Sequence, residues 1–136
     1  MYYAAYGMNT NRRSMAVRCP KAKPMGGFYL PSHRLVFRGG ADFRNDQDCV
    51  MPVVLWKITF ECLQTLDRLE GWPHLCDRRE INGTWLIYEM NGDKGGLLAP
   101  SKGYYDMIEE GYKDFGLDDS WLRSARDEAS YRRELV

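Results

Sequence analysis

Apolar and polar residues change their period several times along this chain, and each change marks an element. Tyr2 to Tyr6 is a short apolar run of strand length. Thr10 to Val17 reads as one or two helical turns, with Asn9 or Thr10 available as N-cap. Pro20 and Pro24 bar a longer helix. Gly27 to Leu30 and Arg34 to Arg38 read as strands joined over Pro31-Ser32, and Gly39 to Asp48 as a polar loop. Met51 to Ile58, "MPVVLWKI", predicts the strongest strand, because it is apolar and rich in β-branched residues. Thr59 to Leu69 predicts a helix, with Thr59 as N-cap and Gly71 just past its end. Arg79 to Ile81 and Thr84 to Met90 flank Asn82-Gly83, the preferred two-residue hairpin turn, since both its positions need positive φ. Gly92 to Ala99 reads as a flexible loop. Ser101 to Phe115 is a helix between Pro100 and Gly116, and Asp119 to Leu135 is a final helix with Glu and Arg on its wet face. Strands gather in the first two thirds of the chain, which predicts an α+β fold.

Length and composition narrow the picture. The chain has 136 residues, which predicts one domain spanning 1–136, and its formal net charge is zero. No apolar run reaches membrane-spanning length, and "MYYAAYG" lacks the basic and apolar regions of a signal peptide. The expectation is a soluble cytoplasmic protein without a membrane partner. Cys19, Cys49, Cys62 and Cys76 show no Cys-x-x-Cys spacing, and the histidines are His33 and His74, so a structural zinc site is not expected. Free, mostly buried thiols are expected instead. Before Ala41 the charged residues other than histidine are all basic: Arg12, Arg13, Arg18, Lys21, Lys23, Arg34 and Arg38. Such a run suits a nucleic-acid face, but folding that mixes the two halves is the favoured reading.

Two places carry candidate chemistry. In "TFECLQTLDRLEG", Leu63 and Leu66 share a helix face, and Glu70 lies four beyond Leu66 on the same inward-turning side, with Asp67 close to it. A surface helix normally keeps carboxylates on the opposite side. Glu70 either frays out beside Gly71 or sits in a partly dry pocket, where desolvation and the negative end of the helix dipole raise its pKa toward a usable acid/base range. Periodicity accommodates both. The second place is Tyr6-Gly7-Met8-Asn9, between the first strand and the first helix. A Gly-containing turn there exposes backbone N–H groups that can bind an anion, and Gly7 permits close approach and positive φ. An ordinary strand-to-helix connection fits as well.

Taken together, these pieces resemble the γ-glutamylcyclotransferase-like superfamily, over nearly the whole chain. "AYGMNTNRRSMAVRCPKA" is similar to its opening strand, "YGSN" turn and helix, including the later "RCP". Leu66-Asp67-Arg68-Leu69-Glu70-Gly71 is similar to its "LDxxEG", and Pro100-Ser101-Lys102-Gly103-Tyr104 to its "PSxxY". The resemblance implies a small, strongly bent mixed β-sheet or barrel with flanking helices. It implies Glu70 as general acid/base, the backbone around Gly7, Met8 and Asn9 as the seat of the glutamyl end, Tyr6 lining the pocket and Tyr104 closing its other side. Met8 stands where the commonest pattern has Ser, and Cys76 where many relatives have Tyr.

The implied substrate partner is a small γ-glutamyl amide. Its α-amine attacks its own γ-carbonyl, giving 5-oxoproline and a free amine or amino acid, with no metal, cofactor or covalent intermediate required. Two other classes stay open at this level: a non-catalytic small-ligand-binding protein of the same fold, and a nucleic-acid-associated protein using the basic first forty residues.

Overall fold

A computed structural model of the chain describes residues 1–91 and 96–134, with side chains through Tyr131. Strand β1 (Tyr2–Ala5) leads through a 3-10 turn (Met8–Thr10) into helix α1 (Arg12–Arg18). A long hairpin, β2 (Lys23–Arg38) and β3 (Gly40–Lys57), is followed by α2 (Phe60–Glu70), β4 (Cys76–Ile81), β5 (Trp85–Met90), α3 (Lys102–Asp114) and α4 (Ser120–Glu134). The five strands form one mixed sheet in the order β2-β3-β1-β5-β4. Strands β1 and β5 are parallel, and the other pairs are antiparallel.

The sheet is strongly bent. Phe28 on β2 meets Trp85 on β5 edge-on, with ring centres 5.5 Å apart, although two strands lie between them in the sheet. At the far end of β3, Asp42 Oδ1 accepts the Met90 N–H of β5 at 3.1 Å. Val53, Val54, Met51, Phe37 and Ile87 on the strands are buried with Leu66 of α2, Ile108 and Tyr112 of α3 and Leu122 of α4 in one core cluster.

Several local signals act as read from the residues. Thr59 caps α2, accepting the Cys62 N–H, and Gly71 ends it in the left-handed conformation at φ 73°. Ser101 caps α3, with Gly116 beyond its end at φ 65°. Asn82 and Gly83 both take positive φ, and the Thr84 N–H closes the turn onto the Ile81 carbonyl. Ile81 pairs with Trp85, however, so three residues lie between the paired positions rather than two. The four cysteines are free, with Cys19, Cys62 and Cys76 buried.

Other readings are corrected. Residues 39–48 are not a loop: β3 runs from Gly40, and only Gly39 turns the hairpin. Nor do Pro31-Ser32 separate two strands. β2 continues through them with a register shift, and Ser32 takes a φ of 63°. Pro24 and Pro31 are tolerated because β2 is an edge strand. Pro52 is tolerated on β3 because β1 pairs only with Val54 to Lys57, which leaves that side of β3 open to Pro52. The cap of α1 is Asn11, not Asn9 or Thr10: its Oδ1 accepts the Arg13 and Ser14 N–H groups. The predicted loop over Gly92 to Ala99 lies outside the described residues at 92–95, and at Leu98 it forms a parallel bridge with Arg38. Leu135, the predicted end of the last helix, also lies outside them.

The charge halves interleave. Arg13 pairs with Glu110, Lys21 with Glu61, Arg34 with Asp46 and Glu128, and Arg38 with Asp42, so acids from later in the chain face bases from its start. Among the described residues no helix is long and apolar enough to cross a membrane.

Helix α3 rests on the turn after β1 at Gly111. A Cβ at this position would lie 2.4 Å from Thr10 Oγ1 and 2.7 and 2.8 Å from the Thr10 carbonyl carbon and oxygen. Gly111→Ala therefore forces helix and turn apart and is expected to cost about 2 kcal/mol of unfolding free energy in urea titrations, as overpacking does. Gly103→Ala, on the same helix but in open space, is expected to stabilise by about 1 kcal/mol through helix propensity.

Candidate active site

The turn after β1 is built by its own polar groups. Thr10 N–H donates to the Gly7 carbonyl and Asn11 N–H to the Met8 carbonyl, each at 3.0 Å. The Trp56 indole N–H reaches the Asn9 carbonyl at 2.8 Å, and Asn11 Nδ2 reaches the Met107 carbonyl of α3 at 2.9 Å. Asn9, Thr10 and Asn11 are buried polar residues, which is tolerable because these bonds satisfy them.

Beside this turn lies a cavity of about 200 Å³, lined by Tyr3, Tyr6, Gly7, Met8, Asn9, Arg18, Ala41, Leu69, Glu70, Tyr88 and Tyr104. The structure thus gathers Tyr6, Gly7, Met8, Asn9, Glu70 and Tyr104 around one space, from the turn that follows β1, the end of α2 and the start of α3. Glu70 does not fray away. It lines the cavity, and burial raises its pKa above the ordinary carboxylate range, while the Arg18 guanidinium pulls it back down. Its charge is felt by Tyr3, Tyr6 and Tyr104: burial chiefly raises the pKa of each hydroxyl, and Glu70 adds to the rise. These hydroxyls stay protonated at neutral pH.

Other expectations need adjusting. Gly7 has φ −116°, so positive φ is not what requires glycine here. Close approach is: a Cβ would lie 3.1 Å from both Ala41 Cβ and Tyr104 Oη. The Tyr104 hydroxyl oxygen accepts the Ala41 N–H at 3.0 Å, which ties the start of α3 to β3. Asn9 lines the cavity with its amide engaged on both ends. Nδ2 donates to Tyr3 Oη at 3.1 Å, and Oδ1 accepts Arg18 Nη1 at 2.9 Å. The Tyr6 hydroxyl donates to the Tyr88 carbonyl. Met8 lines the cavity, whereas Cys76 is buried at the start of β4 and is not among the lining residues.

Arg18, Tyr3, Tyr88, Leu69 and Ala41 also line the cavity, and reading the sequence did not identify them. Arg18 had a signal, since "RCP" belongs to the matched opening stretch, but it carried no role. Tyr88 donates to Asp67 Oδ1 at 2.6 Å, and Arg78 pairs with Asp67 Oδ2 at 2.5 Å while lying over the Trp72 ring. Asp67, on the inward side of α2 as its spacing predicts, ties the helix end to β4 and β5.

No protein-family model matches the sequence, and no curated protein is detectably similar to it. The fold is found among solved structures. A structure named gamma-glutamyl cyclotransferase superposes with a TM-score of 0.76 at 20% identity, over 92% of this chain and 85% of that one. A human protein described as uncharacterized superposes with a TM-score of 0.76 at 23% identity, over the same shares. An uncharacterized protein from Pyrococcus horikoshii superposes at 0.56 and 14% identity, over 71% of this chain and 83% of that one. The chain therefore has the γ-glutamylcyclotransferase-like fold.

Two outcomes follow for stability. Tyr104→Phe removes the acceptor of the Ala41 N–H and is expected to cost about 1–3 kcal/mol in urea unfolding. Glu70→Gln is expected to raise the melting temperature at pH 7. With its folded pKa raised, Glu70 binds more protons in the native state than in the unfolded chain between the two pKa values, so stability falls as pH rises through that window. The advantage of the amide should be full above the raised pKa and vanish below about pH 4, near the unfolded glutamate value. Melts across this range check both sign and window.

Proposed function

We propose that the chain is a γ-glutamylcyclotransferase that converts a γ-glutamyl amide to 5-oxoproline and a free amine or amino acid. The observation that carries this reading is Glu70: a carboxylate lining a cavity with its pKa raised by burial, beside the Gly7–Asn9 turn and the Tyr104 hydroxyl. The γ-glutamylcyclotransferase-like fold supports it, as does the agreement of all three sequence stretches with one cavity.

The reaction asks little beyond position and proton transfer. The α-amine is tethered to its own electrophile, so folding the substrate brings nitrogen and γ-carbonyl carbon into reacting distance. Glu70, as carboxylate, takes a proton from the α-ammonium. The freed nitrogen pair forms the new C–N bond of the five-membered lactam, and the carbonyl becomes tetrahedral. As the intermediate collapses, the C–N bond to the leaving group breaks. Two protons in all pass from the attacking nitrogen to the departing one, which leaves as its ammonium. Glu70 relays them in turn and ends as the carboxylate it began as. No water is consumed. The Tyr104 oxygen accepts the Ala41 N–H, which leaves its own O–H to donate to the substrate and orient it. A raised pKa makes Glu70 a stronger base than an exposed glutamate.

Incubation with a panel of γ-glutamyl amides, with 5-oxoproline measured by mass spectrometry, tests the activity and finds the leaving group. On an accepted substrate Glu70→Gln is expected to lower kcat by about 10²–10⁴-fold with little change in binding. The wild-type kcat/KM is expected to fall on the acid side as Glu70 protonates, at a pH above the ordinary glutamate range. Undiminished 5-oxoproline production by a folded Glu70→Gln variant would overturn the mechanism. A wild type that binds 5-oxoproline but forms none would point to a ligand-binding protein instead.

A further inference from the structure

The cavity has one cationic side chain among its described lining residues, and the reaction as proposed gives it no task. Arg18 is the last residue of α1. One guanidinium nitrogen, Nη1, donates to Asn9 Oδ1 at 2.9 Å. Asn9 is buried and held in turn by Tyr3 Oη and the Trp56 indole N–H, so Arg18 is fastened at one end to a rigid support. The guanidinium has five N–H donors in a planar fork, and the bond to Asn9 uses one. Arg18 also lines the cavity opposite in charge to Glu70. The two sense each other electrostatically, yet among the described residues they form no ion pair.

A fixed cation and a fixed anion that face one cavity without touching suit a ligand carrying both charges close together. Such a ligand is the amino-acid head of a γ-glutamyl group, with an ammonium and a carboxylate on one carbon. Glu70 is committed to the ammonium side, because that is the nitrogen it deprotonates. Arg18 reaches the same space beside the Gly7–Asn9 turn through its bond to Asn9, and it is the residue type whose fork matches a carboxylate with two parallel hydrogen bonds. Resting on the activity proposed above, we infer that Arg18 binds the substrate's α-carboxylate and thereby sets the orientation in which the α-nitrogen meets the γ-carbonyl. The site would then require a free α-carboxylate and reject γ-glutamyl amides whose α-carboxylate is masked, whatever amine leaves. Arg18 touches the substrate but moves no proton.

The test compares two substrates that differ only at that group: an accepted γ-glutamyl amide, and the same compound with its α-carboxylate converted to a carboxamide. The wild type is expected to prefer the carboxylate in kcat/KM by on the order of a hundredfold, since the amide leaves a charged donor pair unmatched. In Arg18→Gln the preference should collapse to within about threefold, the loss on the carboxylate substrate appearing mainly in KM. Arg18→Lys, which keeps the charge but not the fork, should recover part of the preference. Titration of each protein with 5-oxoproline and 5-oxoprolinamide, followed by NMR shifts, reads the same preference without turnover. A wild type indifferent to the carboxylate in both assays overturns the inference. So does an Arg18→Gln variant that keeps the full preference, or that loses activity equally on both substrates, as a purely structural bond to Asn9 would predict. If no γ-glutamyl amide is turned over, the proposed activity fails and the titration alone decides the role of Arg18: tighter binding of the carboxylate, lost in Arg18→Gln, supports it.

Discussion

The turn from Gly7 to Asn11 is mostly buried, and its polar groups must find partners inside the protein. That constraint organises much of what surrounds it. Trp56 from β3 supplies an indole N–H to Asn9, Met107 from α3 supplies a carbonyl to Asn11, and Arg18 from α1 meets the Asn9 side chain. A buried donor or acceptor left alone costs on the order of 1–3 kcal/mol, so these bonds act less by their net strength than by what their loss would expose. They also determine where the turn sits. Gly111 lets α3 come within contact of Thr10, and this seats Tyr104, one helix end away, with its hydroxyl against Gly7.

The cavity follows from the same placement. Three tyrosines line it, Tyr3 from β1, Tyr6 just past β1 and Tyr88 from β5, each with a polar tip bound and an aromatic body packed. Its charged walls are Glu70 and Arg18, delivered by the ends of two different helices. Burial explains the raised pKa of Glu70, and the nearby arginine limits it. A carboxylate in this position is costly to the fold and useful to a reaction that must move two protons, in turn, from one nitrogen to another.

Much of this was legible in the sequence where a local rule dominates. Thr59, Gly71, Asn82-Gly83 and Ser101 each act through a few neighbouring atoms, and they appear where the residues place them. Glu70 was legible as an acid on an apolar helix face, and Gly7 as a turn residue, though what calls for glycine is the close approach of Ala41 Cβ and the Tyr104 hydroxyl rather than positive φ. The long hairpin was not legible. Its arms carry Pro31, Ser32 and a polar run from Arg44 to Asp48, all of which argue locally for loops. They are strands because β2 and β3 pair with each other almost end to end, and because Asp42, the most loop-like residue, is buried against Arg38 and the Met90 N–H. Arg18 and Tyr88 were missed for a similar reason: what brings them to the cavity is sheet order and helix packing, which no short window records.

The central claim is spatial: the reacting lactam lies between the Gly7–Asn9 turn and Glu70. A crystal structure of the protein soaked with 5-oxoproline tests it most directly. The account predicts the ring inside the cavity, its nitrogen within hydrogen-bond reach of the Glu70 carboxylate, about 2.6–3.2 Å. Density for the ring elsewhere on the protein, or in the cavity with Glu70 turned away from it, would contradict the account.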